Sequence, residues 1–117
     1  MKGYYTKFID EAGQYRFNLK SGNHEIILKG SEGYSSSQAC DKGIASVRAN
    51  SPFDVRYDAR LASNDEYYFN LKARNGEIIG VSETYKTRAG RDEGIRDVKR
   101  LAPLASEKNG LLQRGSE

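Results

Sequence analysis

Two six-residue segments decide the fold of this chain: Tyr15-Arg16-Phe17-Asn18-Leu19-Lys20 and, 52 positions later, Tyr67-Tyr68-Phe69-Asn70-Leu71-Lys72. Each alternates an aromatic residue or Leu with a polar residue, which is typical of a strand with one buried face. Each also leads into the pattern Asn-X-Glu-Ile-Ile, at 23–27 and again at 75–79. The repetition indicates that the chain consists of two similar units.

The composition favours one small domain. A chain of 117 residues can bury a single modest core. The net charge of +3 is mildly basic, well short of the dense Lys/Arg clustering of a dedicated nucleic-acid binder. Cys40 is the only cysteine, which excludes an internal disulfide and a thiolate metal cluster. The N-terminal segment lacks the apolar region of a signal peptide, and no apolar run approaches the roughly 18 residues of a membrane span. We therefore expect a cytoplasmic protein without membrane contact.

The first unit has the pattern of three strands followed by a helix. Residues 4–9, 14–20 and 25–29 are rich in strand-compatible residues, and the short turns between them favour antiparallel pairing. Ser36 is a candidate N-cap, because its hydroxyl can accept a hydrogen bond from an amide of the first helical turn. From there to about Ala49 the apolar residues recur at helical spacing, and Pro52 stops the helix.

The second unit repeats this order. Strands are expected at 54–62, 67–72 and 77–81, and Thr87 stands where Ser36 stood, at the start of a helix that Pro103 ends. We predict one α+β domain over 1–103, built of two βββα repeats at 3–52 and 55–103. The repeats share one antiparallel sheet with both helices packed on one face. Residues 104–117 show no periodicity and are predicted to form a flexible polar tail.

The two units match at two different offsets. The strand residues match at 52 positions, whereas Tyr34 and Tyr85 match at 51. The extra residue of the first unit lies between 27 and 34, in a loop where insertions are tolerated. Gly43 and Gly94 also match, although a mid-helix Gly costs roughly 1 kcal/mol relative to Ala. We interpret both as places of close approach between helix and sheet; the alternative is a neutral glycine copied by duplication.

Six segments of the chain carry a resemblance to a known family. They are Tyr15–Lys20, Gly43–Arg48, Asn50–Pro52, Ala62–Asn64, Tyr68–Lys72 and Ile78–Gly80. With strand, strand, strand, helix written twice, the chain resembles the YegP-like family of small bacterial proteins, also described as DUF1508 and UPF0339, over about 3–102. The resemblance implies a tandem of β3-α-β units sharing one sheet, in which the strand after each helix is exchanged toward the other unit. Residues around 55–61 would take that role, but a second exchanged strand is hard to find in the polar tail. The resemblance implies no activity, cofactor or functional residue.

Residues that could carry catalysis are few and scattered. His24 is the sole histidine and sits in a predicted turn, so we expect it to be exposed and not to bind a metal. Cys40 lies on the apolar face of the first helix, which favours core packing over a nucleophilic role. Glu25 and Glu77 are paired by the repeat and could do acid-base work if the fold brought them together; otherwise they are two solvated glutamates. We predict no catalytic residue, no metal and no cofactor.

The second face of the predicted sheet carries the candidate binding residues. If Phe17, Leu19 and their counterparts point at the helices, the alternate side chains point away from them. Because both helices return to one side, the other face stays uncovered, and we call it the open face. Its cations, amides and tyrosine could follow a phosphate backbone with a base stacked on the tyrosine, or could be the ordinary polar face of a two-layer protein. The residues predicted on it are Arg16, Asn18, Lys20, Tyr68, Asn70 and Lys72.

We therefore expect a small cytoplasmic module without catalytic activity that acts by binding. The first alternative is weak binding of single-stranded nucleic acid, RNA above all, on the open face. The second is an enzyme with a site between the repeats, which needs a concave pocket with convergent ionisable groups. The sequence does not decide between a protein and a nucleic-acid partner. We expect a monomer, although an exposed sheet edge could pair with a second copy.

Overall fold

The computed structural model describes residues 3–108. The first repeat forms β1 (Tyr4–Ile9), β2 (Tyr15–Lys20), β3 (Ile26–Gly30) and α1 (Ser37–Asn50). The second forms β4 (Tyr57–Leu61), β5 (Tyr67–Lys72), β6 (Ile78–Val81) and α2 (Arg88–Leu101), and β7 (Ser106–Glu107) follows it. The predicted order of elements is confirmed in both repeats. One strand begins later than predicted, because Asp54–Arg56 form a 3-10 turn before β4.

Local sequence signals explain where the helices begin and how the hairpins turn. Ser36 Oγ accepts a hydrogen bond from the amide three residues later (3.1 Å), and Thr87 Oγ1 does the same (2.9 Å), so both predicted N-caps are confirmed. The hairpin turn before the third strand of each repeat needs one residue with positive φ. His24 holds that position at 74° and Gly76 at 89°. Gly76 adopts this conformation without the steric cost that His24 carries.

All seven strands form one sheet in the order β4-β5-β6-β3-β2-β1-β7. The two repeats meet at its centre, where β3 pairs with β6. Neighbouring strands are antiparallel except β7, which runs parallel to β1. The sheet is therefore mixed and not wholly antiparallel as predicted. A parallel neighbour requires a crossover connection, and the segment before β7 that contains α2 provides it. Both helices lie on one face, as predicted.

Each repeat holds the end of the other repeat's helix. The hydroxyl of Tyr5, in β1, donates to the Ala102 carbonyl at the end of α2 (2.7 Å). The hydroxyl of Tyr57, in β4, donates to the Ser51 carbonyl at the end of α1 (2.7 Å). Burial raises the pKa of both phenols, so both stay protonated and able to donate. The strand after each helix pairs with the other repeat, β4 with β5 and β7 with β1, so the exchange that the family resemblance implies is present.

Ordered structure continues past residue 104, where the sequence predicts a flexible tail. Ala105 is buried, Arg48 of α1 donates to its carbonyl at 2.5 Å, and Ser106–Glu107 form β7. This short strand is the second exchanged strand, and its two residues are too few to produce a periodic pattern in the sequence. The remainder of the predicted tail, 109–117, lies outside the described residues.

The core lies between the sheet and the helices and draws on both repeats. Its centre is built from side chains that are at most 1% exposed, among them Phe17, Leu19, Ile44, Val47, Phe69, Leu71 and Val98. Cys40 is fully buried with them, and burial raises the pKa of its thiol to about 11. Cys40 is therefore a neutral packing group at physiological pH, in agreement with the sequence analysis. No helix within residues 3–108 has the length and apolar character needed to cross a membrane.

The two mid-helix glycines make room for tyrosine rings. A Cβ at Gly43 would lie 2.7 Å from Tyr34 Cζ, and a Cβ at Gly94 would lie 2.7 Å from Tyr85 Cζ. Two backbone hydrogen bonds of 2.7 and 2.8 Å fix Tyr34 to Tyr15, and the equivalent two fix Tyr85, so the rings cannot easily withdraw. The predicted close approach is real, but the nearest neighbour is a side chain and not the sheet backbone.

We predict that Gly43→Ala lowers the free energy of unfolding by roughly 1–3 kcal/mol, because the added methyl overpacks against Tyr34. Helix propensity alone predicts a gain of about 1 kcal/mol, so urea denaturation decides the sign. The control is the same substitution in a Tyr34→Ala background, where the ring is absent and the loss should disappear. An equal loss in both backgrounds would contradict the tyrosine contact.

We also predict that Cys40 does not react with thiol reagents in the folded protein. A buried thiol with a raised pKa supplies little thiolate and gives the reagent no access. Ellman's reagent at mildly alkaline pH should therefore label no thiol in the native protein and one per chain after addition of denaturant. Rapid labelling of the native protein would show that Cys40 is not a core residue.

Candidate functional site

The strand register fixes which side chains occupy the open face. Phe17 and Leu19 are buried under the helices, so the alternate residues of β2 point the other way, as do the alternate residues of β5. Phe8 shares this face opposite Arg16, and Arg60 shares it opposite Tyr68. The alternation puts all six residues singled out in the sequence on the open face: Arg16, Asn18, Lys20, Tyr68, Asn70 and Lys72.

These six residues form two separate clusters. β3 and β6 lie between β2 and β5. Three strand spacings of 4.7–4.9 Å therefore separate Arg16, Asn18 and Lys20 from the three residues on β5 by about 14 Å. The predicted group of three cations beside one stacking tyrosine is not assembled, because Tyr68 and Lys72 belong to the other cluster.

Carboxylates that the sequence analysis missed neutralise part of the positive charge. Arg16 Nε lies 2.9 Å from Asp10 Oδ2, and Lys72 Nζ lies 3.6 Å from Asp58 Oδ2. A backbone N–H and the Arg16 guanidinium hold the pKa of Asp10 below its usual value, so this carboxylate is charged at neutral pH. The alternation along β4 could have shown Asp58 on the open face. Asp10 sits in a turn, where the spacing of residues does not predict which way a side chain points.

Three polar side chains of the open face are nearly enclosed. Asn18 is 4% exposed, Asn70 is 7% exposed, and Thr6, which faces Asn18 across the strand pair, is 3% exposed. Thr6 Oγ1 has no hydrogen-bond partner within residues 3–108. Longer neighbouring side chains therefore cover these three polar side chains, and the surface of the open face is uneven.

A gap opens in the sheet between β2 and the segment after β3. Pairing ends at Asn18 and Lys29 and resumes at a bridge between Tyr15 and Tyr34. Over this stretch β2 advances three residues, from 18 to 15, while the opposite segment advances five, from 29 to 34. In the second repeat the opposite segment advances only four residues over the equivalent stretch, from 81 to 85. The additional residue is the insertion that changes the repeat offset from 52 to 51.

The first repeat lacks the side-chain acceptor that closes the same place in the second repeat. In the second repeat Ser82 closes the equivalent place, because its Oγ accepts from the Phe69 N–H at 2.9 Å. In the first repeat Gly30 stands at that position and has no side chain. The Phe17 N–H therefore lies beside a glycine, whereas its counterpart in Phe69 donates to a serine hydroxyl.

Phe17 and Gly30 line a hollow of about 320 Å³ on the open face, which we call the β2–β3 hollow. Its apolar walls and charged rim can hold a planar group beside an anion. The remaining lining residues are Phe8, Arg16, Asn18, Ile26 and Lys29. Only Arg16 and Asn18 among them were singled out from the sequence. The one-residue slip between the repeats was the signal that pointed to this place.

A larger groove of about 660 Å³ lies between the repeats, beside α2. His24 and Glu25 line it from the first repeat, and Glu93 and Asp97 line it from α2. This is the concave site that the enzyme alternative requires. His24 Nδ1, however, is already hydrogen-bonded to the Tyr4 hydroxyl at 2.7 Å. In the described part of the chain, no three His, Cys, Asp or Glu side chains gather as a metal site requires.

The acid-base pair considered for Glu25 and Glu77 does not form. Lys29 faces Val81 where β3 meets β6, so Glu25, four residues earlier, aligns with position 85. Glu77 lies eight residues from that position, which is about 26 Å along a strand. The pseudo-symmetry of the repeats places the two carboxylates at opposite ends of the sheet centre.

Comparison with known proteins agrees with the repeat and the fold. The family model described as "Domain of unknown function (DUF1508)" matches residues 10–58 and again residues 62–108. A UPF0339 protein of Bordetella pertussis is 49% identical over 110 residues, which cover 93% of this chain and 96% of the relative.

Two solved structures are similar along nearly their whole length. The solution NMR structure of a UPF0339 protein from Shewanella oneidensis has a TM-score of 0.86 and 41% identity, covering 97% of this chain and 93% of that chain. The solution NMR structure of the protein of unknown function yegP from Escherichia coli has a TM-score of 0.86 and 43% identity, covering 100% and 97%. The repeated family match, the identities and the shared fold together show that the chain belongs to the DUF1508 (UPF0339) family.

Proposed function

We propose that this protein is a non-catalytic binding module that binds single-stranded nucleic acid weakly on its open face. The observation that carries the proposal is the β2–β3 hollow, in which Phe17, without the serine acceptor of its counterpart Phe69, shares the lining with Arg16 and Lys29. A backbone donor beside two cations favours a ligand that carries negatively charged oxygens. The proposal places this activity in the cytoplasm, where RNA is the abundant single-stranded nucleic acid.

The lining of the hollow suits one nucleotide. Phe8 offers an aromatic ring for a base, and Ile26 adds an apolar surface. Stacking of a base on an aromatic side chain contributes roughly 1–3 kcal/mol and depends little on which base is present. The Phe17 N–H can donate to a phosphate or base oxygen. We therefore expect binding with little sequence preference.

Ion pairs within the chain keep the binding weak. Arg16 is paired with Asp10, and Lys29 Nζ lies 3.4 Å from Glu83 Oε2. Exposed pairs of this kind are worth about 0–1 kcal/mol, so a phosphate can replace the carboxylate at little cost. The carboxylates stay nearby, however, and repel the incoming phosphate. The second cluster, with Tyr68, lies about 14 Å away across three strand spacings and can contact a further part of the same strand.

We predict that a fluorescent single-stranded oligonucleotide binds at low salt. Two phosphate contacts at roughly −0.7 each give a slope of about −1.4 in log K against log salt. Phe8→Ala should weaken binding at every salt concentration by about 1 kcal/mol or more, because it removes the stacking ring. Lys29→Ala should instead reduce the steepness of the slope by about 0.7. The matched control is Arg96→Ala, which removes an exposed cation from α2 and should change neither quantity.

Two outcomes would contradict the proposal. Absence of binding at low salt, where a basic surface has its best chance, would leave a protein partner as the function of the open face. Equal effects of Lys29→Ala and Arg96→Ala would show that the whole molecule attracts the oligonucleotide through net charge, without a site at the hollow.

A further inference from the structure

The two edges of the sheet are not equivalent. At one edge β7 lies beside β1, and the Lys108 N–H donates to the Tyr5 carbonyl at 2.9 Å. At the other edge β4 pairs with β5 alone among the strands of residues 3–108. Ala59, Arg60 and Leu61 are exposed there, and Leu61 keeps 57% of its surface in contact with solvent. An edge of this kind is a template for another strand.

The backbone direction shows which groups of β4 are unpaired. The Tyr5 carbonyl points away from β2, because it accepts from Lys108, the residue that follows β7. Tyr57 is its equivalent 52 positions later, and backbone groups of alternate residues in an antiparallel pair point to the same side. The Tyr57 carbonyl and both backbone groups of Ala59 and Leu61 therefore point away from β5. Within residues 3–108 none of these groups has a hydrogen-bond partner.

We propose that two copies of this chain associate by antiparallel pairing of β4 with β4, with Ala59 of one copy facing Ala59 of the other. In this register Asp58 faces Arg60 of the second copy, and Arg60 faces Asp58 of the second copy. Tyr57 faces Leu61 of the second copy on the side of the helices. The strand sequence Tyr57-Asp58-Ala59-Arg60-Leu61 is therefore complementary to itself in both charge and apolar character.

The register follows from the charges and from the backbone direction. Only odd-numbered residues of β4 have outward backbone groups, so the nearest alternative registers are shifted by two residues. One of these places Asp58 opposite Asp58, and the other places Arg60 opposite Arg60. Like charges directly opposite each other are destabilising. A shift of one residue would bring the charged face of one copy against the apolar face of the other.

The dimer is expected to be weak and reversible. It adds four backbone hydrogen bonds, two between the Ala59 residues and two from Leu61 to the Tyr57 carbonyl, because the Tyr57 N–H already donates to Asp54. Within one copy Arg60 Nε lies 2.9 Å from Asp58 Oδ2, so the second copy extends an existing ion pair into a group of four charges. The two sheets become continuous, with both open faces on the same side. This association is independent of nucleic-acid binding.

Sedimentation equilibrium of the full chain from micromolar to millimolar concentration tests the proposal. The weight-average mass of the wild type should rise from 13.1 kDa toward twice that value. Ala59→Pro should stay at the monomer mass at every concentration. Proline removes an N–H that points away from β5, so the monomer keeps its hydrogen bonds. Leu104→Ser is the matched control, because Leu104 is 68% exposed away from the edge, and it should associate as the wild type does.

Charge exchange tests the register even if Ala59→Pro does not fold. Asp58→Arg and Arg60→Asp each place like charges opposite each other, so each variant alone should dissociate about tenfold more readily than the wild type, or more. An equal mixture of the two variants restores opposite charges at both positions and should associate as the wild type does. A wild type that is monomeric throughout, variants that associate as the wild type does, or a mixture that remains monomeric would each overturn the proposal.

Discussion

Reciprocal hydrogen bonds from two tyrosines to the ends of the two helices hold the repeats together. Tyr5, near the start of the chain, binds the end of α2, and Tyr57, in the middle, binds the end of α1. The last carbonyls of a helix have no partner within the helix, and a buried carbonyl without a partner is costly. Each repeat thus supplies a hydrogen-bond donor to a backbone carbonyl at the end of the other repeat's helix. The repeats also meet in the centre of the sheet, where β3 pairs with β6.

The exchange also decides which surfaces remain for binding. The helices cover one face of the sheet, and β7 covers the edge at β1. The β2–β3 hollow and the β4 edge are both places where the repeats differ. Gly30 replaces the serine that closes the gap in the second repeat, which leaves the β2–β3 hollow. Among residues 3–108, no strand covers the β4 edge as β7 covers the edge at β1. Departures from internal symmetry therefore locate the candidate sites more sharply than the repeated residues do.

The sequence predicts most of the elements because their signals are local. The alternation in β2 and β5, the caps at Ser36 and Thr87, and the helical spacing all lie within a few residues of the structure they specify. The sequence does not predict β7, because its two polar residues show no strand pattern of their own and depend on pairing with β1. The order of strands, which separates the clusters on β2 and β5, depends on contacts between distant parts of the chain. The hollow beside Phe17 depends on the difference between Gly30 and Ser82, whose equivalence follows from the strand register and not from a local pattern.

Native-state hydrogen exchange tests most directly whether the two repeats form one cooperative body. The comparison is between the slowest amides of α1, such as Val47, and those of α2, such as Val98, at increasing low concentrations of denaturant. If each repeat completes the other, both sets should exchange through the same global opening, with equal free energies and equal dependence on denaturant. If the amides of one repeat exchange through a separate opening of lower free energy, the repeats unfold independently, and the reciprocal contacts do not join them into one cooperative body.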